Sequence, residues 1–103
     1  MSTTISVVLF QRDKWWIAQC LQYDIGAQAH SLPDVLYELE RTLVGYLTVA
    51  DELNIEPFVH LDPAPDFYWK KFQGTLLTIE PVDAPMRVPM GHKLPQPQYR
   101  IAG

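Results

Sequence analysis

The sequence contains a single cysteine, Cys20, among its 103 residues. An internal disulfide needs two thiols, and a multi-thiolate metal site needs two to four, so neither can form within these residues. We interpret Cys20 as a buried, inert thiol within a strand, because no basic neighbour is evident to lower its pKa.

The chain is also short of positive charge. Eight Lys and Arg residues stand against twelve Asp and Glu, which gives a net charge of −4. Proteins that bind the phosphates of nucleic acids carry clustered Lys and Arg, so phosphate binding is disfavoured. A small excess of carboxylates fits a basic protein partner better.

Long hydrophobic runs are absent from the sequence. No segment approaches the ~18–20 apolar residues that a transmembrane helix needs. Residues Ile5–Phe10 are apolar, but this stretch is too short and too interrupted for a signal peptide. We therefore expect a cytoplasmic protein that does not bind membranes.

Residue patterns typical of catalysis and cofactor binding are missing too. The histidines His30, His60 and His92 lie far apart, and none stands at metal-ligand spacing. No G-x-G-x-x-G, P-loop or G-x-S-x-G motif occurs. Two-metal nuclease chemistry needs acids inside strands, whereas Asp13, Asp24 and others fall in predicted turns or near a helix start. The sequence thus predicts no catalytic residue, no cofactor site and no metal site.

The most regular feature of the sequence is a long amphipathic helix over Ser31–Asn54. Ser31 is a good N-cap, Pro33 suits the first turn, and Asp34 stands where a capping box has an acid. Apolar residues then recur at steps of three and four along one face: Leu32, Val35, Leu36, Leu39, Leu43, Leu47, Ala50 and Leu53. Such a stripe needs a sheet or a partner chain to cover it.

The remaining apolar segments predict a small antiparallel sheet. Ile5–Phe10 and Trp15–Leu21 form a hairpin around a short polar turn, and Ile25–His30 is a third, short strand. A short helix is predicted over 67–73, and Leu76–Glu80 is predicted to be the last strand. The predicted fold class is therefore α+β, with three to four antiparallel strands, one long helix on one face, and a short helix.

Eight of the nine prolines follow the long helix. We therefore divide the chain into an α+β domain at residues 1–80 and a Pro-rich extended C-terminal tail at residues 81–103, in which regular structure is not expected.

Aromatic residues are concentrated in two places and form a candidate protein interface: Trp15, Trp16, Phe67, Tyr68, Trp69 and Phe72. A base-stacking platform is the alternative, since Lys14, Lys70 and Lys71 flank them. Gly45 is off pattern in the long helix and either permits close packing, including against a second copy of the chain, or is a tolerated weak point. The apolar stripe and the aromatic cluster look large for so small a sheet, so we expect a homo-oligomer.

Three consecutive segments of the first half carry a resemblance to a known family. They are Trp16–Leu21, Asp24–Ala29 and Ser31–Leu36, and their order of strand, short strand and capped helix resembles the HicB-like proteins. The resemblance covers Ile5–Asn54 and implies a partial RNase H-like sheet crossed by a helix. His30 departs from the family pattern, which often has Gly or Asp before the cap.

The resemblance also implies a function. Members generally lack the catalytic acids of RNase H, and those that are bacterial antitoxins bind and block a small basic RNase toxin. A separate C-terminal domain of such antitoxins binds operator DNA. The Pro-rich residues at the end of the present chain cannot form a helix-turn-helix, so direct DNA binding is not expected.

Three functions remain open from the sequence. The leading hypothesis is a non-enzymatic, HicB-like and antitoxin-like protein-binding module that self-associates and binds a small basic protein. The second is a small enzyme or ligand-binding protein with a pocket near the aromatic cluster and Cys20. The third is an RNA-binding protein of RNase H-like descent.

Overall fold

A computed structural model describes residues 4–59, 61–73, 75–79 and 96–102. The elements follow the order β1 (Thr4–Arg12), β2 (Trp15–Cys20), β3 (Gly26–Ala29), α1 (Leu32–Leu53), α2 (Asp66–Gln73), β4 (Thr75–Ile79) and β5 (Gln96–Ala102). The five strands form one sheet in the order β3-β2-β1-β5-β4. In the described ranges, no helix has both the length and the apolarity needed to cross a membrane.

The hairpin of β1 and β2 sets the two faces of the sheet. Arg12 pairs with Trp15 across a two-residue turn, in which Asp13 has a φ of 57°. Left-handed backbone is what tight hairpin turns require, and Asp tolerates it better than most residues. Because side chains alternate along a strand, Val7, Leu9 and Ala18 point to one face, and Val8 and Phe10 point to the other.

Helix α1 begins and ends where the sequence predicts. The Asp34 backbone N–H donates to Oγ of Ser31 over 3.2 Å, and Asn54 closes the helix with a left-handed φ of 56°. The inner face of α1 is buried against the first face of the sheet, mainly over β2 and β3; it consists of Val35, Leu36, Leu39, Glu40, Leu43, Leu47 and Ala50. Leu53 continues the same apolar pattern but is 63% exposed.

Helix α2 packs on the opposite face of the sheet. Its Tyr68, Trp69 and Phe72 cover the second core, which includes Val8 and Phe10. The α+β class, the β-β-β-α order and the two helices are thus confirmed, and the sheet lies between the two helices.

The sheet is larger than predicted. It has five strands, and β1 pairs with β5 in parallel, whereas the sequence predicted three to four antiparallel strands. Strand β5 comes from the segment that was predicted to be a Pro-rich tail without regular structure, so that prediction is wrong for residues 96–102. Pro97 stands at the second position of β5, and Tyr99 is fully buried beneath α1.

The rest of the predicted tail, residues 81–95, lies outside the described residues. The division of the chain at residue 80 therefore stays a prediction.

Candidate functional site

The six aromatic residues of the candidate interface lie on both sides of the sheet. Trp16 packs against the core beneath α1. Tyr68, Trp69 and Phe72 pack against the core on the α2 side and are partly buried. Trp15 and Phe67 also lie on the α2 side, but 38% and 52% of their surfaces are exposed. The structure therefore brings five of the six to one side and gives most of them a packing role.

The inward-facing rings of α2 are held by specific contacts. Trp69 donates from Nε1 to the carbonyl oxygen of Ala64 over 3.1 Å, so its polar edge is satisfied although its ring is partly buried. The guanidinium of Arg100 on β5 lies 4.2 Å from the centre of the Phe72 ring. These contacts hold α2 in place and bury part of the surface of its aromatic rings.

Trp15 and Phe67 remain as the exposed aromatic surface on the α2 side. The Trp15 ring stacks on His30, with 4.0 Å between ring centres. The Lys71 ammonium lies 5.1 Å from the Phe67 ring centre and 4.6 Å from that of Phe10. Each exposed ring thus has a basic residue near it in the fold: Lys71 lies by Phe67, and Arg12 is the cross-strand partner of Trp15.

Cys20 is fully buried on the α1 side of β2. Burial raises the pKa of its thiol, and hydrogen bonds from the backbone at Tyr23, Gln22 and Leu21 only partly oppose that rise. A thiol that is both protonated and out of contact with solvent is a poor nucleophile.

Within the described ranges, no three His, Cys, Asp or Glu residues come together as metal ligands. His30 lies in its stack with Trp15, and its Nδ1 is 3.4 Å from the carbonyl oxygen of Lys14. His60 and His92 lie outside the described residues.

A second exposed surface, which the sequence analysis missed, lies along the outer side of α1. Its residues are Thr42, Gly45, Tyr46, Val49 and Leu53, and we call it the outer α1 surface. Tyr46, Val49 and Leu53 are 40%, 52% and 63% exposed. Thr42, Gly45, Tyr46 and Val49 line a shallow groove. These residues also recur at helical spacing, on a strip of the helix next to the buried stripe. That spacing was the feature of the sequence from which the surface could have been predicted.

Gly45 is one of the residues that line that groove. A Cβ atom built at this position would meet no atom within 4 Å outside its local helix backbone. Glycine in a helix interior costs about 0.5–1 kcal/mol relative to alanine. No close contact among the described residues therefore requires glycine at position 45.

The loop after α1 extends this apolar surface. Ile55 and Val59 are 46% and 56% exposed. Between them, Phe58 turns inward with a φ of 67° and stacks on Tyr23, with 4.7 Å between ring centres, and lies 6.1 Å from Tyr46. The loop returns to the sheet where the Asp24 N–H donates to the Asp62 carbonyl over 2.7 Å. These contacts hold the loop against the body of the protein and leave its apolar neighbours at the surface.

The same part of the chain is acidic. Residues 42–69 contain five carboxylates and no Lys or Arg. All five residues are exposed: Asp51, Glu52, Glu56, Asp62 and Asp66. An apolar surface beside several exposed carboxylates is suited to a partner with both apolar and basic groups.

The inner side of α1 contains one buried carboxyl group. Glu40 is 4% exposed, and burial raises its pKa. Tyr99 lies close enough for the Glu40 charge to raise the pKa of the phenol, in addition to the larger effect of burial. In the described part of the chain, the hydroxyl of Tyr99 is buried without a hydrogen-bond partner. These groups are enclosed in the core and cannot contact a substrate in this conformation.

No protein-family model, curated protein or solved structure matches this chain.

Proposed function

We propose that the chain is a non-enzymatic, HicB-like protein-binding module of the cytoplasm that self-associates and binds a small basic protein in the manner of an antitoxin. The observation that carries the proposal is the apolar surface formed by Tyr46, Val49, Leu53, Ile55 and Val59. Single exposed apolar residues are common, but a run of them along one helix and its following loop is typical of an interaction surface.

The charge distribution supports a basic partner. Five exposed carboxylates border or follow the apolar surface without a Lys or Arg between them. Charges at the rim of an interface chiefly speed association and reject like-charged proteins, while apolar contacts at the centre contribute most of the affinity.

Recovery of the partner from the native host tests this proposal. We expect a tagged chain to retain a small basic protein that high salt releases. The double variant Glu56→Lys and Asp62→Lys should lose it, whereas Asp13→Lys, at the distant hairpin turn, should retain it. Recovery of the chain alone, or retention by both variants alike, would contradict binding through the acidic surface.

The alternative of a ligand-binding protein or enzyme, with a pocket near the aromatic cluster and Cys20, has less support. The Cys20 thiol is buried, its pKa is raised, and the groove described above lies on α1. A thermal-shift screen against metabolites and metal ions would revive this hypothesis if one compound raised the melting temperature in a saturable way.

RNA binding is supported by a different observation, the exposed rings of Trp15 and Phe67, with the Lys71 ammonium 5.1 Å from the centre of the Phe67 ring. Unpaired bases stack on exposed aromatic side chains. If this hypothesis holds, a single-stranded RNA probe binds at low salt and dissociates as the salt concentration rises. The variant Trp15→Ala should lose this binding, whereas Tyr37→Ala should retain it. Absence of binding at low salt removes it.

A further inference from the structure

The outer α1 surface contains a glycine that the described fold does not require. Gly45 is exposed in the middle of a regular helix, and an added Cβ would meet no described atom within 4 Å outside the local helix backbone. Glycine at such a position lets another backbone or a side chain approach the helix axis closely. No described residue makes that approach, so the position is open to another molecule or to residues beyond those described.

Two charged residues flank this position in a self-complementary way. Arg41, Gly45, Val49 and Glu52 follow one another at spacings of four, four and three, so they form one line along the helix. Arg41 and Glu52 are eleven residues apart, about three helical turns, and both are exposed. Opposite charges thus stand at the two ends of a line whose centre is apolar.

Such a line matches a second copy of itself in the antiparallel direction. Consider two antiparallel copies of α1 related by a two-fold axis that is perpendicular to both helices. A residue near the N-terminal end of one copy then lies beside a residue near the C-terminal end of the other, and residues on one flank of the helix meet residues on the same flank of the second copy. A register centred between Tyr46 and Leu47 places Arg41 beside Glu52 of the second copy, twice. The same register places Gly45 opposite position 48 of the second copy. Because helical side chains lean toward the N-terminus, the Val49 side chain of the second copy covers that position, where no Cβ at residue 45 obstructs it.

We propose that α1 packs antiparallel against α1 of a second copy of this chain, with Val49 seated on Gly45 and Arg41 paired with Glu52 across the two-fold axis. This inference rests on the self-association in the proposed function and names the surface that mediates it. It differs from the interface predicted from the sequence, because Trp15 and Phe67 lie on the opposite side of the sheet. The basic partner then binds the part of the apolar surface beyond α1, where Ile55 and Val59 are exposed beside the carboxylates of Glu56 and Asp62.

Sedimentation equilibrium on the full chain tests the proposal with a steric pair of variants. The wild type should be a dimer at micromolar concentration. The Cβ of Gly45→Trp meets no described atom outside the local helix backbone, and its ring extends from the exposed side of α1. The variant should therefore remain folded by circular dichroism and raise the dimer dissociation constant at least tenfold. Gln28→Trp adds the same bulk at an exposed position on the α2 side and should leave the constant unchanged.

A charge-reversal series tests the register. Arg41→Glu and Glu52→Arg should each weaken the dimer several-fold, and the double variant should restore it. Arg41 also forms a 3.5 Å pair with Glu38 on its own helix. Glu52→Arg cannot repair that pair, so restoration reports the contact between copies.

Two results would overturn the inference in distinguishable ways. A dimeric wild type that Gly45→Trp leaves unchanged, and that Gln28→Trp or Phe67→Ser disrupts, shows that self-association uses the α2 side. A wild type that is monomeric at high concentration removes self-association from the proposed function as well.

Discussion

The inner and outer sides of α1 show how one helix serves two purposes. On the inner side, Val35, Leu39 and Leu43 are fully buried against the sheet. On the outer side, Val49 and Leu53 are equally apolar but more than half exposed. The inner residues account for the fold, whereas the outer ones leave apolar surface that the described fold does not use. Apolar residues with no packing role are therefore the clearest indication of function in this chain.

The helix α2 provides the contrasting case. Its aromatic residues attract attention in the sequence, yet Tyr68, Trp69 and Phe72 turn toward the sheet and hold the helix in place. A dense aromatic cluster indicates a core at least as often as it indicates an interface. Only Phe67 on this helix remains exposed enough to bind a partner through its ring.

The two sides of α1 should differ most in how much stability is lost when a leucine on each side is truncated to alanine. Leu39→Ala removes a fully buried side chain and should lower the free energy of unfolding by about 2–5 kcal/mol. Leu53→Ala should change it by no more than about 0.5 kcal/mol, because that side chain is exposed. Urea denaturation of dilute protein measures both values, and equal losses would show that the outer side is packed after all.

Substitution of Gly45 sharpens the same contrast. In dilute protein, Gly45→Ala should stabilise the fold by about 0.5–1 kcal/mol, since alanine favours a helix and the added Cβ meets no neighbour. The matched control is Thr48→Ala, an exposed position one turn onward, where the gain in helix propensity is smaller. Loss of stability in Gly45→Ala would mean that the groove is occupied within one chain.

Substitution of Glu40, the buried carboxyl on the inner side of α1, should give the smallest change in the free energy of unfolding, and that change should depend on pH. Burial raises the pKa of Glu40, so the folded state retains the proton to higher pH than the unfolded state does. Stability is therefore lost as the pH rises from the unfolded pKa of about 4.3 through the raised folded pKa. Glu40→Gln cannot ionise and should not show that loss, so it should be more stable than the wild type at neutral pH.

The control for this prediction is Glu38→Gln, on the partly exposed side of the same helix. The stability difference between Glu40→Gln and the wild type should disappear at about pH 3, where an ordinary Glu is protonated in both states. A pH profile that Glu40→Gln leaves unchanged would contradict the assignment of Glu40 as a buried acid.

The ends of α1 were predictable from local sequence, because capping is local chemistry. Ser31 and Asn54 mark the two ends, and both act within one turn of the helix. The first three strands were predictable for the same reason, since a two-residue turn and alternating apolar residues join neighbours in sequence.

Strand β5 was not predictable in this way. Its partner β1 lies about ninety positions earlier in the chain, with Ile5 opposite Pro97 and Leu9 opposite Ile101. No local pattern identifies such a distant pairing, and the surrounding prolines argued against a strand. The only local hint is that Tyr99 and Ile101 alternate with Gln98 and Arg100, as in a strand with two different faces.

The candidate surface was predictable only in part. The sequence placed Leu53 on the apolar stripe but could not show that the sheet ends before covering it. Which of several apolar residues is left exposed depends on how far the helix extends beyond its partner layer, and that is a property of the whole fold.

Hydrogen exchange at low and at near-millimolar protein concentration tests the central claim most directly, because it locates the contact between copies. Our account predicts slower exchange at high concentration in residues 41–53 of α1 and unchanged exchange in β2, β3 and α2. Concentration-dependent protection around Trp15 and Phe67, with none along α1, would contradict it.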